Sequence, residues 1–562
     1  MADVNAFTEG GCKEDSTGNA VTRRKFIQLG TLLGGAWGVG VPASALAQSG
    51  EGGKVRKGGT LVMLVVPEPP TLAGYQSTSG PVGQVATKVY EGLLEYGFDL
   101  QPKPGLAKSW QVSDDGLTIT FKLQDGVKFH DGKPFTSEDV RFSVMEVLKK
   151  IHPRGAATTF RHVVAVETPD PLTAVFKLDT AAPYLMMGLS SYESPMLPKH
   201  LFEGENIQRS EYANKPVGTG PFVFKEWRRG EFVLLEKNKN YWKPGEPNLD
   251  RIAFRFIPDA GSRSAAIEAG EAHIGGFSAI PNVDIARLKE KPFIEATTRG
   301  YEMQAPITML DFNTKRKPFD NVKVRQAISY AIDRQFVIDH IWFGFGKKAT
   351  GPISSNFAAN GIYTPDVHNY DVPNGVEVAN KLLDEAGFPR KADGTRFEIV
   401  HDITPYGDEW RRFGEYIQQV LGRIGIKATL RYEDVPTWLR RVYTNYDFDL
   451  TSNWVQTLAD PVIGAHRFYS SKTITPGAVF VNDSQWSTPE TDELLDRAAI
   501  ETDPKKRNEI YHRFQKLVVE AAPYVWVHEI EFVTVKNKRV KDDIVTPLGL
   551  YGSFGKAWLD KA

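Results

Sequence analysis

Residues 104–135 have the sequence PGLAKSWQVSDDGLTITFKLQDGVKFHDGKPF, and this stretch decides the fold prediction. Its segment 117–123 alternates apolar and polar residues, which is typical of a half-buried β-strand. The turn-forming residues 113–116 precede that strand. Residues 136–140 follow with a hydroxyl side chain and two acids, which predicts the start of a helix. The stretch therefore predicts a small α+β unit with antiparallel strands.

On either side of this unit the pattern changes to that of an α/β domain. Residues 60–66 form a continuous apolar run, typical of a buried strand, and the prolines from Pro67 onward end it. Beyond residue 304, strand-like runs alternate with helical periodicity, which favours helices that cover a sheet. The predicted strands there are 309–313, 397–403, 427–432 and 524–528, and the predicted helices are 324–340, 376–386 and 409–424.

The first 47 residues have the pattern of an export signal rather than of a folded element. Arg23 and Arg24 precede a weakly apolar stretch, 27–41, and a small-residue sequence that ends at Ala47. This is the pattern of a twin-arginine signal cleaved near Ala47, and an ordinary secretory signal is the alternative. The apolar stretch is too short and too rich in glycine to span a hydrocarbon core of ~30 Å. Both kinds of signal lead to export, so we expect a periplasmic protein.

The overall composition limits the partners and the chemistry. The formal net charge is −1 and no long basic run occurs, which argues against a nucleic-acid partner. The single cysteine, Cys12, would be removed with the signal. The mature chain would then have neither disulfides nor a thiol nucleophile. We expect a soluble monomer without a cofactor.

Sequence motifs of catalysis and of metal binding are missing from the chain. It contains no G-x-x-x-x-G-K-[ST] loop, no G-x-S-x-G elbow and no H-E-x-x-H pair. Its 11 histidines are scattered without metal-ligand spacing, so no metal site is expected. Gly218, Thr219 and Gly220 could cradle a phosphate, but Pro221 and a strand follow them. A tight turn at the entry of a strand is therefore the favoured interpretation.

Several blocks, together with residues 104–135, carry a resemblance to a known family. They occur in the family's order from about Gly58 to the C-terminus: residues 139–140, 218–222 with 240–242, 312–314 with 317–320, 324–327 and 331–334, and 382–388. The chain thereby resembles the family 5 extracellular solute-binding proteins, which include oligopeptide, dipeptide and nickel binders. The resemblance implies an α/β, periplasmic binding protein type II-like clamshell. Its two lobes would be joined by hinge strands, with an extra α+β domain in the first lobe.

The resemblance also implies domain boundaries and a mechanism. Lobe I would comprise residues 54–92, 213–303 and 525–562, the extra α+β domain residues 93–212, and lobe II residues 304–524. The chain would cross between the lobes near Gln304 and Ala522. A small-molecule or peptide ligand that bridges both lobes would close them, and an ABC permease in the inner membrane would receive it.

Two positions depart from the dipeptide-binding relatives, and both concern charges that would hold the termini of a peptide. Where those relatives have an arginine for the ligand's carboxylate, before Pro405 and Tyr406, this chain has Thr404. Where the family's Trp-x-x-Asp segment has an aspartate for the ligand's amine, this chain has Thr457 after Trp454. Loss of both charges disfavours a dipeptide zwitterion. A polar ligand without peptide termini, such as a sugar conjugate or an opine, is therefore predicted.

Other side chains could replace these charges. Asp460 could bind an amine and Arg411 a carboxylate, although Arg411 and Arg412 also fit a solvated helix face. For each aromatic candidate, packing in a core is the alternative to ligand stacking. The remaining candidate ligand contacts are Glu68, Pro69, Tyr301, Tyr406, Trp410, Trp438, Asn453 and Trp454.

Three functions are compatible with these observations. The resemblance favours the substrate-binding component of an ABC importer, which carries out no chemistry of its own. A periplasmic hydrolase on a similar scaffold is one alternative, and the missing catalytic motifs argue against it. The other alternative is a binding protein that serves a chemoreceptor, which sequence patterns do not distinguish from one that serves import.

Overall fold

The computed structural model describes residues 55–561, and the predicted export signal lies outside this range. Within the described range, no helix has the length and apolar character that a membrane crossing requires. The apolar run at 60–66 forms the first strand as predicted, from Thr60 to Leu64. The remaining elements build several sheets, with helices packed against the two largest.

Strands and helices alternate along most of this range. In chain order the strands are β1 (Thr60–Leu64), β2 (Leu94–Tyr96), β3 (Pro102–Pro104), β4 (Ala107–Val112), β5 (Thr118–Leu123), β6 (Val163–Asp170), β7 (Thr173–Leu178), β8 (Phe222–Arg228), β9 (Phe232–Lys237), β10 (Arg251–Arg255), β11 (Ile274–Gly275), β12 (Ile294–Thr297), β13 (Pro306–Phe312), β14 (Gly346–Lys348), β15 (Phe397–Asp402), β16 (Ile426–Arg431), β17 (Leu450–Gln456), β18 (Tyr524–Ile530), β19 (Thr534–Asn537), β20 (Val540–Lys541) and β21 (Trp558–Leu559). The α-helices are α1 (Gly80–Ala86), α2 (Ser137–Arg141), α3 (Lys149–Ile151), α4 (Lys199–Phe202), α5 (Ala260–Glu268), α6 (Asn282–Lys289), α7 (Val322–Ala331), α8 (Arg334–Phe336), α9 (Gly375–Glu385), α10 (Asp408–Arg423), α11 (Val435–Leu439), α12 (Pro461–Gly464), α13 (Pro489–Ile500) and α14 (Pro504–Ala521).

Strand β1 lies in the middle of a seven-stranded sheet with the order β12-β19-β11-β1-β10-β9-β8. It pairs in parallel with β10 and β11, while β9 is antiparallel to both β8 and β10. Leu61 and Met63 pack into one hydrophobic core, and Leu64 packs into another. Because both faces of β1 are covered, its sequence is apolar without alternation.

The stretch around residues 104–135 contributes to a four-stranded antiparallel sheet with the order β4-β5-β7-β6. In β5 the buried residues are Ile119, Phe121 and Leu123, and the residues between them are at least partly exposed. Thr136 caps α2 in a capping box, with Asp139 as the reciprocal partner. The predicted strand and the predicted helix start are therefore confirmed.

A six-stranded sheet has the order β14-β18-β13-β17-β15-β16. Strand β15 is parallel to β16 and β17, and β13 is antiparallel to β17 and β18. The predicted strands 397–403 and 427–432 and the predicted helix 409–424 match β15, β16 and α10 within a residue or so. The predicted helix 324–340 is interrupted, because the side chain of Asp333 accepts a hydrogen bond from the Phe336 amide and starts α8 as a new helix.

Two segments join the seven-stranded sheet to the six-stranded sheet. The first, residues 298–305, leads from β12 to β13 and contains Gln304, where a crossing was predicted. The second, residues 531–533, leads from β18 to β19, so the crossing predicted near Ala522 is displaced toward the C-terminus. Strand β18 is buried along its whole length and pairs with β13, which keeps it in the six-stranded sheet. Ala522 ends α14 with a left-handed φ of 44°, which explains the break in the pattern there.

The segment Gly218–Gly220 is a tight entry to a strand, as predicted, because β8 begins directly after it at Phe222. A Cβ atom at Gly218 would lie 2.1 Å from the carbonyl oxygen of Val89, so only glycine permits this approach. The His130 ring contacts the segment through a hydrogen bond of 2.9 Å between its Nε2 atom and the Gly220 carbonyl. These backbone positions are thus occupied by protein contacts rather than open for a phosphate.

Candidate ligand-binding site

A row of aromatic side chains follows the two segments that join the large sheets. The rings of Tyr192 and Tyr551 are stacked at 4.2 Å, and at the other end the rings of Phe532 and Trp454 are 6.1 Å apart. Between these ends the neighbouring ring centroids are 4.8 to 5.6 Å apart. In spatial order, this aromatic row comprises Tyr192, Tyr551, Phe277, Tyr301, Phe532 and Trp454.

Tyr301 lies at the centre of the aromatic row and is buried. Its hydroxyl shares a hydrogen bond of 2.6 Å with the Thr534 hydroxyl and accepts another of 2.9 Å from the Phe277 amide. Burial raises the pKa of the Tyr301 phenol to about 12. Tyr301 was predicted as a ligand contact, and it lies where the two joining segments meet.

Asn453 and Trp454 lie on β17, the strand next to β13. The Asn453 amide donates to Asp311 and, at 2.7 Å, to the Tyr443 hydroxyl, while its oxygen accepts the Trp454 amide at 2.8 Å. These bonds hold the backbone of β17 in place beneath the aromatic row. The Nε1 atom of Trp454 is buried and has no hydrogen-bond partner among the described residues. Buried donors of this kind ordinarily find a partner, so a ligand or a water is expected there.

Trp438 and Trp410 are core residues, which is the alternative considered for them. Trp438 is 1% exposed and donates from Nε1 to the Thr451 hydroxyl at 3.1 Å. Trp410, on α10, packs edge-on against the Trp342 ring at 5.8 Å. Tyr406 differs from both, because it is 42% exposed and meets Trp438 only at its edge.

Thr404 and Arg411 lie in contrasting environments. Thr404 is buried, and its hydroxyl donates to the Ser452 carbonyl while its amide donates to the Ser452 hydroxyl at 3.2 Å. Thr404 therefore fastens the loop after β15 to β17. The Arg411 side chain is 63% exposed and lies 3.6 Å from Glu415 one helical turn further on. This is the solvated helix face considered as the alternative for Arg411.

Thr457 and Asp460 follow β17 on the chain and are both buried. The Thr457 amide donates to the Ala305 carbonyl at 3.2 Å, while its hydroxyl has no partner among the described residues. Asp460 caps α12, and both of its oxygens accept hydrogen bonds from Arg507, at 2.8 and 2.9 Å. A ligand amine would have to compete with this bidentate pair. Asp460 is therefore not the free carboxylate that the sequence analysis considered for an amine.

Glu68 and Pro69 lie apart from the aromatic row. The Glu68 carboxylate accepts hydrogen bonds of 2.9 Å from Trp227 Nε1 and from the Gly230 amide. These contacts hold the turn between β8 and β9. Pro69 is buried beside Glu68. The structure thus gives Glu68 a fastening role at the edge of the seven-stranded sheet.

Sequence patterns did not identify several residues beside the aromatic row. A small cavity of about 20 Å³ is lined by Tyr192, Glu193, Gln304 and Leu458, among others. Glu193 is buried and accepts a hydrogen bond of 2.8 Å from Arg154 Nε. The Oε1 atom of Gln304 is buried without a partner among the described residues. These residues belong to no motif, and only the folded chain brings them together.

A larger cavity of about 280 Å³ opens beside both joining segments. Its lining is mainly polar and includes Arg299, Glu302, Lys347 and Glu529. Of the described residues that the sequence analysis named as ligand contacts, Tyr301 alone lines it. Across residues 55–561, no three histidine, cysteine, aspartate or glutamate side chains are grouped as metal ligands would be.

Comparison with known proteins complements this geometry. The sequence model of the family described as bacterial extracellular solute-binding proteins, family 5 Middle, matches residues 101–476. Heme-binding protein A of Haemophilus influenzae is 30% identical and aligns over 83% of this chain and 86% of its own. Di/tripeptide-binding protein 1 of Pseudomonas aeruginosa is 29% identical and aligns over 80% of this chain and 84% of its own.

A solved structure extends the likeness to the fold. The ABC transporter substrate-binding protein CtaP of Listeria monocytogenes is 27% identical and has a TM-score of 0.78. The superposition covers 90% of this chain and 100% of CtaP. The α/β clamshell fold predicted from the sequence is confirmed by this likeness.

Proposed function

Because the chain belongs to family 5 of the bacterial extracellular solute-binding proteins, we propose that it captures a polar solute and delivers it to the permease of an ABC importer. Proteins of this family bind small molecules or peptides and work with ABC permeases. The relatives differ in what they hold, since one is named for heme and another for di- and tripeptides. The ligand of this chain therefore has to be argued from its own residues.

The observation that carries the proposal is the pair of segments that joins the two large sheets, with the aromatic row along them. We assign lobe I to residues 54–92, 213–303 and 531–562, the extra domain to 93–212, and lobe II to 304–530. Relative to the sequence-based boundaries, only residues 525–530 of β18 move from lobe I to lobe II. A ligand that contacts both lobes stabilises the closed form over the open form, and the permease distinguishes the two.

The ligand is proposed to be a polar compound without peptide termini, such as a sugar conjugate or an opine. The support comes from Thr404, Thr457 and Asp460. The Thr404 hydroxyl is engaged by β17, the Thr457 hydroxyl carries no charge, and the Asp460 carboxylate is neutralised by Arg507. An ammonium group buried at this place would lack an anionic partner, which costs several kcal/mol.

The protein is proposed to carry out no chemistry. Its relatives are named as binding proteins, which fits this proposal. A hydrolase on the same scaffold is the alternative, and incubation of the bound ligand with the protein would reveal turnover by the appearance of products. Service to a chemoreceptor is the other alternative, and solute uptake by cells that lack the gene would be unchanged in that case.

Export is proposed on the basis of residues 1–47. Members of the family are periplasmic or extracellular proteins. Arg23 and Arg24 would direct the chain to the twin-arginine route, and cleavage near Ala47 would release a monomeric periplasmic protein. Exchange of both arginines for lysine should then retain the precursor in the cytoplasm.

A thermal-shift screen of residues 48–562 tests the proposed ligand class. One panel contains di- and tripeptides, and the other contains opines, sugars and sugar conjugates. A ligand at a hundred times its dissociation constant adds ~2.7 kcal/mol to the free energy of unfolding, which raises the midpoint by a few degrees. A shift from the second panel alone supports the proposal. A shift from peptides shows that another group holds the amine and overturns the ligand class.

A further inference from the structure

Arg467 has a guanidinium group that forms only one hydrogen bond to the described residues. The residue lies in a short 3₁₀ turn, His466–Phe468, directly after α12, and is partly buried. Its Nε atom donates to the Gly464 carbonyl at 3.0 Å, and this is the only hydrogen bond that the guanidinium group makes to the described residues. Within the same range, no carboxylate lies within the 4.0 Å of an ion pair. A guanidinium has five N–H donors, so most of its capacity is free.

Other buried arginines of the chain are satisfied in a different way. Arg263, Arg325 and Arg334 each donate to three backbone carbonyls. Arg154 and Arg507 each form a bidentate pair with a buried carboxylate. These five side chains therefore have evident structural roles. Arg467 donates to a single backbone carbonyl and, among the described residues, pairs with no carboxylate.

On one side, Arg467 adjoins the part of the chain that carries the unpartnered Thr457 hydroxyl. Gly464, which accepts the Arg467 hydrogen bond, packs so closely on Thr457 that a Cβ atom there would lie 2.2 Å from the Thr457 carbonyl oxygen. The Tyr443 hydroxyl, which accepts from Asn453, is close enough to interact electrostatically with Arg467. Arg467 is thus placed beside the segment that directly follows β17.

On the other side, α12, which directly precedes the turn of Arg467, packs on the predicted extra domain, since a Cβ atom at Gly188 would lie 3.5 Å from the Ile463 side chain. Burial and the positive charge of Arg154 lower the pKa of Arg467 to about 10, while Glu193 and Tyr192 act in the opposite direction. Glu193 is already engaged by Arg154. Arg154, Glu193 and Arg467 together therefore carry one more positive charge than negative charge. An anion placed there would relieve the repulsion between the two guanidinium groups.

Three buried polar atoms of the candidate ligand-binding site have no hydrogen-bond partner among the described residues. They are the Thr457 hydroxyl, the Gln304 Oε1 atom and the Trp454 Nε1 atom. All three are neutral, and two of them can donate a hydrogen bond. Such a set fits the polar but uncharged part of a ligand whose charged group lies at Arg467.

We propose that Arg467 is the anion anchor of the ligand-binding site and that the natural ligand carries a carboxylate or a phosphate. The inference rests on the proposed function and adds the charge of the ligand to it. A guanidinium binds either anion through two parallel hydrogen bonds. In the closed form the anion would lie between lobe II and the Arg154–Glu193 pair of the extra domain.

The test uses a deproteinised metabolite extract of a bacterial culture, divided by anion exchange into a retained fraction and a flow-through fraction. Residues 48–562 are titrated with each fraction in a thermal-shift assay. We expect the retained fraction to raise the midpoint. Treatment of that fraction with alkaline phosphatase distinguishes the sources, since a phosphate monoester loses its effect and a carboxylate keeps it.

Three variants accompany the wild type. Arg467→Ala should weaken binding about 100-fold because the ligand's anion loses its partner. Arg467→Lys keeps the charge but not the paired geometry and should weaken binding about 10-fold. Arg423→Ala removes an exposed arginine at the end of α10 and should change nothing. Without ligand, Arg467→Ala should melt within about 1 °C of the wild type, whereas a merely structural arginine would lower the midpoint.

The outcomes separate this inference from the proposed function. A shift from the flow-through fraction alone overturns the inference and leaves the proposed function standing. A shift from the retained fraction that survives Arg467→Ala also overturns the inference alone. If neither fraction shifts the midpoint, the proposed function and the inference both fail. A shift from the retained fraction that Arg467→Ala abolishes supports both.

Discussion

The six-stranded and four-stranded sheets bury their residues in different ways. In β13 and β18 every residue is buried, whereas in β5 the buried residues alternate with partly or fully exposed ones. Adjacent residues of β13 enter different cores, since Met309 packs into one and Leu310 into the other. A sheet covered on both faces can hold polar groups of either face away from water, whereas a sheet with one open face can do so only on its covered face. The site residues on β17 accordingly belong to the doubly covered sheet.

The largest effect on stability should come from alanine substitutions of neighbouring residues in a strand of each sheet. Met309→Ala and Leu310→Ala should each lower the free energy of unfolding by about 2–5 kcal/mol, because both leave cavities. In β5, Phe121→Ala should cost as much, while Lys122→Ala should cost less than ~1 kcal/mol. Urea unfolding of the four variants measures this. Similar costs at Phe121 and Lys122 would contradict the contrast between the sheets.

A smaller effect concerns the pH dependence of stability. Asp483 is buried beside Asp311 of β13, and burial raises its pKa from 3.8 to about 7. The native state then binds more protons than the unfolded state between these values, so stability falls as pH rises through this window. Asp483→Asn should reduce that fall, as measured by urea unfolding from pH 4 to pH 8.

The four-stranded sheet provides the control for this prediction. Asp115, in the turn before β5, has its pKa lowered by hydrogen bonds from the Ser113 hydroxyl and the Leu117 amide. Its contribution to stability is present above its ordinary pKa and is lost as pH falls further. Asp115→Asn should therefore leave the fall above pH 4 unchanged. An identical fall in wild type and Asp483→Asn would show that another group titrates there.

The smallest predicted effect concerns binding. Trp454→Ala should weaken the affinity for the strongest compound of the thermal-shift screen by about 10-fold, because the end of the aromatic row is lost. Trp110→Ala on β4 is the matched control, since Trp110 packs against the core beneath the four-stranded sheet. Titration calorimetry measures both affinities. Unchanged affinity in Trp454→Ala would remove this residue from the site.

Periodicity predicted the elements of the fold well wherever burial alone determined the pattern. Strands β15 and β16 and helix α10 lie where the sequence placed them, because each buries a regular face. The second crossing between the lobes was predicted near Ala522, but the segment that joins the two sheets is 531–533. The break in the pattern at Ala522 is the end of helix α14 and not the end of a sheet. A period of apolar residues indicates an element but not the sheet to which it belongs.

The binding site was harder to predict, because its chemistry depends on partners that are distant in the sequence. Asp460 was considered as a free carboxylate since its partner, Arg507, lies on α14. Arg467 was not considered, because a sequence does not show which arginine lacks a carboxylate partner. For Trp438 and Trp410 the sequence did not distinguish a core residue from a ligand contact, and only their burial in the structure places them in the core.

The position of β19 affects the order in which the polypeptide can complete its fold. Strand β12 pairs with β19 and with no other strand of the described residues, and β19 begins at Thr534 of a chain of 562 residues. Between β12 and β19 the chain makes the whole of the six-stranded sheet. During synthesis, β12 therefore has no strand partner until β19 has been translated. A nascent chain that stops before Thr534 would have an unfinished first sheet, however complete its second sheet is.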